Sequence, residues 1–83
     1  MPKVILSARA KRDFETLDMP VKDRVKSRLK DLERDPWKHS SKLTNSKLGT
    51  YRSRVGDFRI VFDVEGDAII VLRIGNRRDI YNH

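Results

Sequence analysis

The stretch from Tyr51 to Tyr81, YRSRVGDFRIVFDVEGDAIIVLRIGNRRDIY, decides the fold. Arg52 and Arg54 stand two residues apart, so on an extended strand both guanidinium groups project from one face. Gly56-Asp57 breaks the run, and Phe58, Ile60 and Phe62 then alternate with Arg59, Val61 and Asp63 on a second strand. Glu65-Gly66-Asp67 reads as a compact hairpin turn, with glycine available for a positive φ. A long apolar strand runs from Ala68 to Ile74. Its Ala-Ile-Ile-Val-Leu start does not alternate, which predicts an interior strand buried on both sides. Gly75-Asn76 interrupts the pattern, and Arg77 to Tyr81 reads as a short edge strand or a tail crossing the sheet. Arg52, Arg54 and Arg59 on neighbouring strands, joined by Arg77 and Tyr81, converge on a polyanionic ligand. The stretch reads as a phosphate-handling site on a small sheet.

Upstream, Val4-Ile5-Leu6 predicts a short strand ended by Ser7. Ser7 is also a suitable N-cap for a helix from Ala8 to Asp18, with Ala10, Phe14 and Leu17 on one side. Asp18-Met19-Pro20 separates it from a second helix, about Pro20 to Arg34, whose stripe is Val21, Val25, Leu29 and Leu32. That helix's other face is charged, and its Lys22–Lys26 and Asp31–Asp35 spacings set like charges together. Such pairs do nothing for helix stability and leave room for an RNA-facing surface. Asp35-Pro36 stops the helix. Trp37 to Ser46 is a polar connector in which Trp37 reads as an anchor to the core rather than a base-stacking platform. Two helices with one apolar stripe each need a surface to pack on. The order βααββββ or βααβββ therefore predicts an α+β domain, a helical hairpin on a small antiparallel sheet.

Eighty-three residues make one domain, 1–83, and a chain this short leaves a thin stability margin. Nineteen Lys and Arg against twelve Asp and Glu give +7, a balance that suits a polyanionic partner such as nucleic acid. The absence of cysteine excludes disulfides and thiolate metal sites,. His39 and His83 lack a ligand spacing, so no metal or other cofactor is expected. The N-terminal apolar run is too short for a signal peptide or a membrane span, so the cytoplasm is the expected location and no membrane contact is expected.

From Leu48 onward the sequence resembles the RelE/ParE toxin superfamily. The resemblance rests on the Leu-Gly lead-in, Tyr-Arg-x-Arg-Val-Gly-Asp-Phe-Arg, two apolar strands joined by an acidic hairpin, and a terminal Arg-Arg-x-x-Tyr. In element order it covers the whole chain. It implies the toxin of a type II toxin–antitoxin pair, held by an acidic, RelB-like antitoxin. The RelE branch enters the ribosomal A site and cleaves mRNA there, whereas the ParE branch poisons DNA gyrase and lacks the catalytic set. Arg52 and Arg54 fall on positions that are commonly basic in the RelE branch, and Arg59, Arg77 and Tyr81 fall on its arginines and tyrosine. The resemblance thus implies a metal-independent endoribonuclease, an mRNA interferase. A gyrase inhibitor without RNA cleavage, or an inactive relative that binds RNA or antitoxin, is the alternative.

On that reading Arg54, Arg59, Arg77 and Tyr81 are the catalytic set, and Arg52, Arg78 and Lys47 bind RNA. Arginine suits phosphate because its fixed fork of donors matches phosphate oxygens and its charge is permanent. It is a poor general base for the same reason. Lys47 and His83 are the other groups considered for that role, and the sequence does not choose between them.

Overall fold

The computed structural model describes residues 2–43 and 49–80. Its elements run β1 (Lys3–Leu6), α1 (Ala8–Glu15), α2 (Met19–Arg34), β2 (Ser41–Lys42), β3 (Tyr51–Val55), β4 (Phe58–Glu65), β5 (Ala68–Asn76) and α3 (Arg77–Ile80). The five strands form one sheet in the order β1-β5-β4-β3-β2. The expected helical hairpin on a sheet is present, but the sheet is mixed rather than wholly antiparallel, because β1 runs parallel to β5. The connectivity requires it: the hairpin carries the chain from one edge of the sheet to the other, and the β3-β4-β5 meander returns with its last strand in the direction of β1. Both tight turns of the meander place glycine at positive φ, 60° at Gly56 and 58° at Gly66, where a Cβ is disfavoured.

Ser7 caps α1 as its position suggests, its Oγ accepting from the Ala10 amide at 3.0 Å. The helix stops at Glu15 rather than Asp18. The Thr16 and Leu17 amides fall back on the carbonyls of Asp13 and Phe14, at 3.2 and 3.1 Å, which tightens the last turn and ends it. Helical Ala10, Val25 and Leu32 pack against Val55, Ile60, Phe62, Ile69, Val71 and Ile74 of the sheet. Burial on both sides belongs to β4, where Arg59 through Phe62 are all buried, more than to β5, where Ile70 and Leu72 stay half-buried. The cause is position: β5 has only the short β1 beyond it, whereas β4 is central. Gly49 comes close to the face of the sheet that carries Val61. A Cβ there would lie 2.8 Å from Val61 Cγ1 and 2.9 Å from Leu72 Cδ1, so any larger residue would force those side chains to shift.

Three local expectations change. The connector contains a strand, β2, paired with Arg52 and Tyr51. Pro36, just before it, is buried, while Trp37 is 55% exposed and touches the margin of the core edge-on through Tyr51. Residues 77–80 form a helical turn instead of an edge strand or tail, because Asn76 Oδ1 accepts from the Arg78 amide at 3.0 Å and starts a turn. Ile80, wholly buried, closes over Gly75.

Candidate nucleic-acid interface

Residues directly opposite on paired strands share a face. Register sets Ser41 beside Arg52, Arg52 beside Val61, Arg54 beside Arg59, and Arg59 beside Gly75. Ser53, between the two β3 arginines, points into the helical layer, where it is 1% exposed and meets Arg28 of α2. Arg52, Arg54 and Arg59 therefore lie together on the face away from the helices, as the spacing predicts. Arg54 is exposed and Arg52 half-buried, its Nε 3.5 Å from Ser41 Oγ.

Arg59 differs from its neighbours. It is 3% exposed, and its Nη1 donates to the carbonyls of Gly56 at 3.3 Å and Phe58 at 3.2 Å. Its charge is held inside the protein against the β3–β4 turn. The Arg77 amide donates to the Asp57 carbonyl of that turn at 3.0 Å, which brings the start of α3 to the same end of the sheet. Arg77 and Arg78 are exposed and line a hollow of about 310 Å³ with Asp57 and Asn76. The structure thus gathers Arg54, Arg59 and Arg77 around one turn, with Arg52 one step along β3. Tyr81, Lys47 and His83 lie outside the described residues.

Two like charges opposite each other on antiparallel strands repel, and Arg54 and Arg59 are such a pair. Among the described residues the ion pairs are Arg9–Asp13, Arg28–Asp31 and Arg73–Asp13. Arg52, Arg54, Arg77 and Arg78 belong to none of them. Arg73, near Asp67 in sequence, reaches Asp13 of α1 at 2.8 Å. The permanent cations of Arg52, Arg54, Arg77 and Arg78 therefore stand outside the ion pairs, with Asp57 the acid in the hollow beside Arg77 and Arg78, and a surface richer in cations than in acids suits a phosphate ligand,.

Sequence reasoning missed Arg28. Its Nη1 donates to Ser53 Oγ at 2.9 Å and to the Arg54 carbonyl, and Ser53 Oγ donates in turn to the His39 carbonyl at 2.6 Å. Arg28 ties α2, β3 and the connector together directly behind Arg54. Its position beside the Val25–Leu29–Leu32 stripe was the available signal, but a charged residue at the margin of an apolar stripe usually reaches solvent.

A helical hairpin on such a sheet is the fold of chains solved in toxin–antitoxin complexes. The toxin–antitoxin complex RelBE2 of Mycobacterium tuberculosis contains a chain that superposes with a TM-score of 0.82 at 24% identity, covering 92% of this chain and 98% of that one. The RelB–RelE complex of Methanococcus jannaschii gives 0.76 at 24% identity, covering 95% and 96%. In sequence, Toxin RelE3 of Methanocaldococcus jannaschii is 28% identical over 98% of this chain and 97% of its own length. Residues 4–81 match the model of the ParE toxin family of type II toxin–antitoxin systems. The chain belongs to that family, within the RelE/ParE superfamily.

Proposed function

We propose that the protein is a ribosome-dependent mRNA endonuclease of the RelE kind, acting in the cytoplasm and held in check by an acidic, RelB-like antitoxin. One observation carries the reading: exposed Arg54 and Arg77 flank the β3–β4 turn, outside the ion pairs found among the described residues, beside the buried cation of Arg59. In RelE-like cleavage the 2′-hydroxyl loses its proton and attacks the adjacent phosphorus. The bond to the 5′-oxygen breaks, that oxygen takes up a proton, and a 2′,3′-cyclic phosphate is left. Arg54 and Arg77 neutralise the charge that builds on the phosphate oxygens, and Arg52 and Arg78 grip the flanking backbone. Arg59 supplies a fixed positive charge beneath them. None of these arginines can take the 2′-proton, so Lys47, Tyr81 and His83 are the chain's groups for proton transfer, with the ribosome supplying substrate geometry.

The test adds purified protein to a translating extract and maps mRNA 5′ ends by primer extension. Cuts at A-site codons, absent from naked RNA, are expected. Removing one preorganised donor costs about 10²- to 10³-fold, so Arg54→Ala with Arg77→Ala should abolish the cuts while leaving the thermal midpoint near that of the parent. Full cleavage by the folded double variant would refute the site. The ParE description of the family favours a second reading, a gyrase inhibitor, which predicts intact mRNA together with a DNA-damage response.

A further inference from the structure

Trp37 is the chain's one tryptophan, and 55% of it is open to solvent. A tryptophan buries on the order of 200 Å² when enclosed, so about half of that apolar surface is left wet. Its backbone, by contrast, is pinned. The Asp35 carboxylate accepts from the amides of Trp37 and Lys38 at 3.1 and 3.3 Å, Pro36 beneath is buried, and Ser40 Oγ donates to the Pro36 carbonyl. The ring is braced edge-on by Tyr51, centroids 5.0 Å apart at 67°, and Tyr51 stacks on Phe62 at 5.7 Å. The indole is thus held from behind and open in front.

Its surroundings are basic. Arg34 and Lys38 flank it in sequence, and Lys42 stands opposite Tyr51 in the β2–β3 register; all three are exposed. The nearest acid in sequence, Asp35, keeps its charge and turns its carboxylate to the amides of Trp37 and Lys38, so three cations stand against it. The β2 strand is only Ser41–Lys42, with Ser41 beside Arg52 on the open face and Lys42 turned to the other. Lys42 shares its face with Tyr51, against which Trp37 packs, so the indole and Lys42 stand across this thin edge from Arg52.

We propose that Trp37 is a base-stacking platform for single-stranded RNA, with Lys38 and Lys42 holding the phosphates on either side, at the β2 edge and outside the cleavage site. The inference rests on RNA being the ligand, as proposed above, and adds a second contact to it. An aromatic face with adjacent cations is the chemistry that takes an unpaired base without regard to sequence. An acidic protein segment would use the cations but not the open indole face.

Because the chain has one tryptophan, its emission reports on this ring alone. Titrating the full chain with an adenylate RNA of about 12 nucleotides should quench that emission saturably. With a labelled copy of the same RNA, Trp37→Ala should weaken binding about 5- to 100-fold, while Trp37→Phe keeps most of the affinity. Lys38→Glu with Lys42→Glu should lower the slope of log K against log salt by about 1.4, two phosphate contacts at roughly 0.7 each. Circular dichroism melts check that each variant is folded. RNA binding with unchanged emission, equal affinity of folded Trp37→Ala, no RNA binding at all, or a response only to an acidic peptide would each overturn the proposal. The Arg54→Ala, Arg77→Ala variant separates it from the nuclease reading: cleavage should disappear while quenching remains. Quenching with intact mRNA in the extract sinks cleavage alone, and cleavage with a silent Trp37 sinks stacking alone.

Discussion

Asp13 supports a prediction that can be worked from distances. Strand β1 covers β5 only as far as Val71, opposite Leu6, so the edge of β5 beyond that point needs another acceptor. Asp13 Oδ2 provides it, taking the Ile74 amide at 3.0 Å and Arg73 Nε at 2.8 Å. The side chains of Asp13 and Arg73 are 13% and 16% exposed, so both charges are largely out of water. Arg9 adds a contact at 3.5 Å but is 51% exposed, and such pairs contribute little. Asp13→Ala leaves a buried cation and a buried amide without their acceptor, a loss of about 3–5 kcal/mol. A chain of this length is stable by roughly 4–12 kcal/mol, so the loss is a large share of the whole. At about 4–8 °C per kcal/mol for a domain this size, the midpoint should fall by about 12–40 °C. Asp13→Asn keeps an oxygen for the Ile74 amide and should lose only about 1–2 kcal/mol. Far-UV circular dichroism during heating reads both. If Asp13→Ala melts within about 5 °C of the parent, or if the alanine and asparagine variants are equal, the strand-edge account fails.

Glycine positions give a second check. Gly66→Ala faces only a positive φ, 58°, with nothing within 4 Å of the new Cβ, and should lose about 1–2 kcal/mol. Gly49→Ala meets Val61 at 2.8 Å and Leu72 at 2.9 Å, and its loss of about 1–3 kcal/mol should be relieved by Val61→Ala, which would leave Gly66→Ala unchanged; urea titration decides. Arg28→Met removes the donor to Ser53 and to the Arg54 carbonyl. It should reduce turnover in the extract more than it raises the protein concentration needed for half-maximal cleavage, with Arg28→Lys restoring part of the rate. Equal loss of rate with both variants at unchanged stability would show that Arg28 touches substrate instead.

The meander was legible because each of its strands carries its own punctuation. Gly56 and Gly66 sit where the turns need positive φ, and Ile60 and Phe62 alternate against Arg59 and Val61. The Arg52–Arg54 spacing fixed a shared face, and register then supplied Arg59 across the gap. The misreadings share one physical cause, that the deciding contact was distant in sequence. Nothing in Ser41-Lys42 announces a strand until Arg52 and Tyr51 lie beside it. Arg73 is as close in sequence to Asp67 as to any acid, yet Asp13, sixty residues away, wins because α1 lies along the uncovered edge of β5. Arg28 looked like helix surface because the strand it touches comes twenty-five residues later.

The burial of Arg59 explains how so small a sheet holds several arginines together. The exposed cations are screened over about 8 Å at physiological salt, so their repulsion in the free protein is modest. Arg59 is out of that reach. Its guanidinium donates to the carbonyls of Gly56 and Phe58, and a buried charge is less screened by solvent than an exposed one. A phosphate on the open face would then meet one charge that does not reorganise, and exposed ones that close on it from Arg54 and Arg77. A lysine at position 59 would keep the charge and lose the planar fork that orients it. Charge alone does not make this site; it depends on the turn Gly56-Asp57, where the Gly56 carbonyl, with that of Phe58, accepts from Arg59 and the Asp57 carbonyl positions Arg77.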